Sequence, residues 1–145
     1  MEVTLYDIAE RFIGMREISW PVDNPQILAM LRLDADWPPG DETPWCSAFV
    51  NYCAWLLRLP RSKSLSARSW LNVGRPVDIG FAEPRFDVVI LWRGEEDGPF
   101  GHVGLFAGLV HQKVALLGGN QGDAVSLQEY PLDRLLGVRR LRPRA

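Results

Sequence analysis

A few polar side chains in this 145-residue chain fall where amide chemistry would need them. Cys46 stands in "TPWCSAFVNYC", directly after a proline-tryptophan turn and at the head of a run in which Phe49, Val50, Cys53, Ala54 and Leu57 repeat at helical spacing. A thiol in the first turn of a helix meets unpaired backbone N–H groups and the positive end of the macrodipole, and both favour thiolate over thiol. Attack on an acyl carbon then requires a base. His102, in "FGHVGLF", opens a β-rich run with a glycine close on either side, which leaves room for a substrate backbone. A third polar group should orient the imidazole, and "LLGGNQG" offers Asn120 and Gln121 at the end of the next run. If the two runs pair as a hairpin, the end of one lies beside the start of the other. Side chains of successive strand residues point to opposite faces, so only one of the two amides can meet His102.

The elements that must position these groups read as helices first and strands second. Thr4 and Asp7 cap an amphipathic helix ending near Gly14, and Asn24-Pro25 start a second over Ile27, Leu28, Met30 and Leu31. A turn-rich stretch, "DADWPPGDETP", leads into the helix headed by Cys46, which runs to Leu59-Pro60, and a shorter helix is predicted from Leu65 to Val73. After residue 80 the period changes to that of short strands: "DVVILWR", "HVGLFAGLV" and "KVALLGG", then the weaker "AVSLQEY" and "GVRRLRP" with "YPLDRLLG" turning between them. The fold class predicted is α+β, one domain over residues 1–145 with N-terminal helices packed on a C-terminal antiparallel sheet.

Composition narrows the function classes. The chain is 47% hydrophobic and 23% charged with a net charge of -2, ordinary for a globular protein and unsuited to general nucleic-acid binding. Positive charge concentrates near the end, in Arg134, Arg139, Arg140, Arg142 and Arg144, and is available there to meet an anionic outer-membrane surface or to sit in water as an exposed tail. No stretch has the pattern of a signal peptide or a membrane span, so synthesis in the cytoplasm is expected. Two cysteines seven residues apart on one helix stand about 10 Å apart and cannot pair. A zinc site from Cys46, Cys53, His102 and His111 lacks any metal-ligand spacing, and Asp34, Asp36 and Asp41 read as ordinary loop carboxylates. No metal or cofactor is expected.

Each singled-out residue has a plainer reading. Cys46 alone could be a small core residue, as Cys53 is expected to be, and His102 a satisfied, partly buried histidine. His111 is expected at an exposed hairpin turn. Trp45, Trp70 and Trp92 are enough to line a groove, with Trp45, Trp70 and Gln121 the substrate-binding candidates, or else they are core aromatics.

The order of motifs resembles the papain-like cell-wall hydrolases of the CHAP and NlpC/P60 superfamily. The resemblance spans about residues 5–142 and rests on Pro44-Trp45-Cys46-Ser47-Ala48-Phe49-Val50-Asn51, Ala67-Arg68-Ser69-Trp70-Leu71, Gly101-His102-Val103-Gly104 and Gly118 through Gly122. It departs where Phe86 replaces the glycine usual before Asp87, and where Gly118 stands near the position of a glutamate used by some relatives. The resemblance implies Cys46 as nucleophile, His102 as general base and acid, and Asn120 as the orienting third residue; the chemistry agrees, since an amide oxygen accepting the Nδ1 proton would fix the imidazole tautomer. It implies a peptidoglycan amidase or endopeptidase, cutting the stem peptide or the muramoyl-L-alanine link through a thioester acyl-enzyme. A monomer acting on the wall after release or delivery is expected, a phage endolysin fitting best. An injected interbacterial toxin with the same chemistry and a non-catalytic wall-binding module are the alternatives.

Overall fold

The structure, a computed structural model, describes residues 2–18, 23–35 and 44–142. Local capping chemistry sets the first two helices. The Thr4 hydroxyl accepts the Asp7 N–H at 3.1 Å while the Asp7 carboxylate accepts the Thr4 N–H at 2.8 Å, which opens α1 (Leu5–Glu10). Asn24 caps α2 (Pro25–Arg32) by accepting the Gln26 N–H at 2.9 Å. α3 (Cys46–Leu56) is apolar nearly all round and buries eight of its eleven residues. It stops short of Leu59-Pro60, and Arg58 turns the chain with φ 56°. The short helix predicted next is a 3-10 helix over Ala67–Asn72. Most of the loop before Cys46, with Asp36 and Asp41, lies outside the described residues. Asp34 is a loop carboxylate paired with Arg61 at 3.0 Å.

Six strands follow: β1 (Arg75–Pro76), β2 (Asp87–Trp92), β3 (Gly101–Val110), β4 (Lys113–Gly118), β5 (Ser126–Pro131) and β6 (Leu135–Arg140). They form one sheet in the order β1-β6-β2-β3-β4-β5, antiparallel throughout. The fold is thus α+β, with the helices at the N-terminal end of the chain, as the sequence predicts. Only β1 was not anticipated, a two-residue pairing against Arg139 and Arg140 with no buried side chain to leave a pattern. Alternation divides the core. Val88, Ile90, Val103, Leu105 and Leu117 pack with the helices, whereas Val89, Leu91, Phe106, Val114, Leu116 and Val138 form a second cluster on the other face.

Buried polar residues of α3 fasten the loops that frame the sheet. Ser47 Oγ donates to the Ser64 carbonyl at 2.6 Å and accepts the Trp70 indole N–H at 2.9 Å. The Asn51 amide spans the same loop, donating to Ser62 Oγ and accepting the Lys63 N–H. Arg68 donates to the carbonyls of Glu95, Glu96 and Phe100, closing the β2–β3 loop.

The C-terminal arginines are not a free basic tail. Arg140 forks Asp87 at 2.7 and 2.9 Å, Arg139 donates to the carbonyls of Leu71 and Val138, and Arg142 pairs with Glu2 at 2.8 Å. Arg134 lies 5.4 Å over the Trp92 ring. Arg144 is outside the described residues. Among the described residues no helix is long and apolar enough to cross a membrane, and no cluster of His, Cys, Asp and Glu could hold a metal ion.

Candidate active site

Cys46 is the first residue of α3, and no side chain caps that terminus. Its thiol takes hydrogen bonds from the backbone N–H groups of Ser47 and Val103 and from His102. His102 is the second residue of β3, across from Leu91 on β2. Both residues are nearly buried, 6% and 9% exposed. Burial alone drives the thiol's pKa up, but the hydrogen bond and charge of His102 together with the two N–H groups outweigh it and hold Cys46 below the usual thiol range. Burial likewise drives His102 down, and its bond and charge from Cys46 and the bond from Gln121 bring it above the ordinary imidazole value. Both shifts run in the direction that favours thiolate on Cys46 and imidazolium on His102.

The amide in contact with the imidazole is that of Gln121, and Asn120 lines the cleft beside it. Gln121 Oε1 lies 2.8 Å from His102 Nε2, in a buried contact. Its NH2 group donates to the carbonyls of Leu116 at 3.2 Å and Ser126 at 2.7 Å, which fixes which end of the amide faces the ring. An amide oxygen only accepts, so Nε2 must carry the hydrogen. That leaves Nδ1 for the thiol, the reverse of the Nδ1–H tautomer expected from the sequence. The physical reason is that β4 ends at Gly118, and Asn120 and Gln121 lie in a turn rather than a strand. Asn120 adopts φ 58° there and lines the cleft beside His102.

Glycines let this turn close. A Cβ at Gly118 would stand 2.6 Å from Gln121 Oε1, and one at Gly119 would stand 2.7 Å from the Trp45 ring. The turn is tied from the other side by Gln121 N–H to the Ala124 carbonyl, Glu17 N–H to the Asp123 carbonyl, and Val125 N–H to the Met15 carbonyl.

Trp45 and Trp70 do not line a groove. Both are fully buried, their indole N–H groups held by Glu17 and Ser47, and they support the site from within the core. The small cleft at His102, about 110 Å3, is instead walled by Leu91, Trp92, Arg93, Asn120, Tyr130 and Arg134. Tyr130 was missed. Its ring leans on the imidazole with centroids 5.1 Å apart, its hydroxyl is 3.3 Å from Nε2, and burial, then the Cys46 charge, push its pKa up to about 12. The alternation in "SLQEYP" carried the signal, since Ser126, Gln128 and Tyr130 share one face of β5. Cys53 is fully buried, and burial pushes its thiol far up, so it is inert packing. His111 is exposed in the β3–β4 turn with φ 57°.

No family model matches this chain, and no curated protein does. Solved structures do. NlpC1 from Trichomonas vaginalis superposes with a TM-score of 0.58 over 94% of this chain and 42% of its own, at 17% identity. NlpC2 from the same organism gives 0.58 over 94% and 44%, also at 17% identity. The fold is that of the NlpC/P60 proteins, of the papain-like kind. The chain spans less than half the length of these two proteins. An NlpC/P60 family protein from Bacillus cereus reaches only 0.46 over 68% of the chain, too low to add to the fold.

Proposed function

We propose that this chain is a cysteine hydrolase that cuts an amide bond in the peptide part of bacterial peptidoglycan. The observation that carries the reading is the buried relay from Cys46 through His102 to Gln121, set on the NlpC-like fold. In this reading the Cys46 thiolate attacks the amide carbon, and the oxyanion that forms is met by the N–H of Cys46 itself, which as first residue of the helix has no partner four residues back. Asn120, turned into the cleft, is the second donor, each such contact being worth about 3 kcal/mol in the transition state. The proton on His102 Nδ1 passes to the leaving amine, the amine departs, and a thioester remains on Cys46. Water, deprotonated by the now neutral Nδ1, attacks the thioester carbon; the C–S bond breaks, the acyl group leaves as a carboxylic acid, and Cys46 returns as the thiolate beside the reprotonated ring. Throughout, Gln121 keeps the hydrogen on Nε2 and the ring in line, and Tyr130 covers the Nε2 side from solvent.

Digestion of purified sacculi, with mass spectrometry of the fragments, tests the reading. New free amines and matching carboxylates are expected, and they name the bond. Intact wall after prolonged incubation with a folded, thiol-reactive enzyme would overturn it. An endolysin and an injected toxin share this chemistry, and a neighbouring immunity gene would mark the toxin.

A further inference from the structure

Among the described residues the cleft wall contains two cations and no carboxylate. Arg93 follows the last residue of β2, and its backbone is fixed by donation to the Phe100 carbonyl at 3.2 Å. Arg134 belongs to the Leu132–Arg134 turn between β5 and β6, with its guanidinium over the Trp92 ring. The same turn accepts the Trp92 indole N–H at the Asp133 carbonyl, so Trp92 and Arg134 hold each other in place. Stacking occupies the flat face of a guanidinium and leaves its in-plane N–H fork open to a carboxylate. Among the described residues neither arginine joins an ion pair, whereas Arg61, Arg85, Arg140 and Arg142 all do.

This arrangement opposes the chemistry unless something offsets it. His102 has to become imidazolium, and the charge of Arg93 works against that. The Cys46 thiolate balances the imidazolium alone, and that balance disappears once the sulfur is acylated. Asn120 and Tyr130 are neutral. Among the described residues no carboxylate lines the cleft, and a carboxylate of the substrate would supply that negative charge.

We propose that Arg93 and Arg134 form a subsite for a carboxylate of the substrate, so that the preferred amide is one with a free carboxylate within reach of the cleft. The assignment rests on the hydrolase reading for its meaning, but part of its test does not. Iodoacetate and iodoacetamide alkylate the same thiol and differ in charge. On the intact protein, the ratio of their rates at Cys46 cancels any change in thiolate fraction between variants. The ratio should fall roughly tenfold from the wild type to the Arg93→Gln/Arg134→Gln double variant, with each single variant intermediate. Added salt should flatten the wild-type ratio. Equal ratios in wild type and double variant would overturn the subsite. Because Arg134→Gln could loosen Trp92, Arg93→Gln, which touches no such stack, must lower the ratio by itself. The second arm pairs stem peptides as free carboxylates and as carboxamides. Cleavage should favour the carboxylate form in the wild type and lose that preference in the double variant. A wild-type preference that survives both substitutions would also refute it. If neither peptide is cut while the alkylation ratio behaves as expected, the hydrolase reading fails and the anion subsite stands.

Discussion

Replacing Gln121 with leucine removes one oxygen and two N–H donors from the middle of the site. The oxygen is the acceptor for His102 Nε2, at 2.8 Å in a buried contact. A hydrogen bond to a charged partner contributes about 1.5–3 kcal/mol, and in the proposed mechanism the partner is an imidazolium. At about 1.4 kcal/mol per tenfold, turnover should fall by about 10- to 150-fold. The two lost donors leave the carbonyls of Leu116 and Ser126 without them, at about 1–3 kcal/mol of stability for each that stays dry, so the melting temperature should drop as well. The sign of the pH effect follows from the same bond. Gln121 helps raise His102, so in the leucine variant the imidazolium is lost at a lower pH, and the alkaline limb of the pH–rate profile moves toward neutrality. The chain has two histidines, and His111 is exposed, so NMR titration separates the buried ring from an internal reference. Asn120→Ala, with no bond to the ring, should leave the His102 titration in place while lowering turnover through the cleft. A larger titration shift in Asn120→Ala than in Gln121→Leu would refute the assignment of the third residue.

Cys46→Ala should abolish turnover with little change in melting, whereas Cys53→Ser should cost about 1–3 kcal/mol of stability by placing a hydroxyl in dry packing, and retained turnover in the first variant would remove Cys46 as nucleophile. Gly118→Ala should mimic Gln121→Leu in activity and titration, because its new Cβ would stand 2.6 Å from Oε1 and force the amide off the ring; a wild-type titration curve would disprove the crowding. Arg140→Gln strands the fully buried Asp87 carboxylate, at about 3–5 kcal/mol, so denaturation should register the loss and activity should fall alike on intact wall and soluble fragments. A loss confined to intact envelopes, with unchanged stability, would restore the arginines as a surface-binding tail.

Much of the frame was legible because its signals are local. Thr4 with Asp7 and Asn24 with Pro25 cap helices within four residues, and the strand period from Asp87 onward places five of six strands. The placement of Cys46 at a helix head and of His102 at a strand start was legible for a related reason, since both signals fit in a window of ten residues. What was not legible depends on distant partners. The choice between Asn120 and Gln121 turns on one residue at positive φ and on carbonyls supplied by β4 and by the first residue of β5. The arginines looked like a tail because Asp87 lies 53 positions from Arg140 in the chain. Trp45 and Trp70 stood open between groove and core because an aromatic side chain suits either, and its residue type does not say which side of its element faces solvent.

Those buried tryptophans nonetheless explain why two motifs so far apart travel together in one fold. Trp45 precedes the nucleophile, and its ring is the surface on which Gly119 rests, with Phe49 of α3 beside it. Any side chain at position 119 would push the turn away from α3 and carry Gln121 with it. Glu17 holds the Trp45 indole N–H at 3.1 Å, and the backbone of the same residue donates to Asp123 on the far side of the turn. The turn is therefore gripped between α3 and the segment after α1. The helix that presents the sulfur also sets the position of the amide two links away, so the distance from Cys46 through His102 to Gln121 is fixed by core packing rather than by the three side chains themselves. A site assembled this way keeps its geometry when the cleft is empty, which is what the proposed thiolate and imidazolium would need if fixed dipoles are to replace the water they have lost.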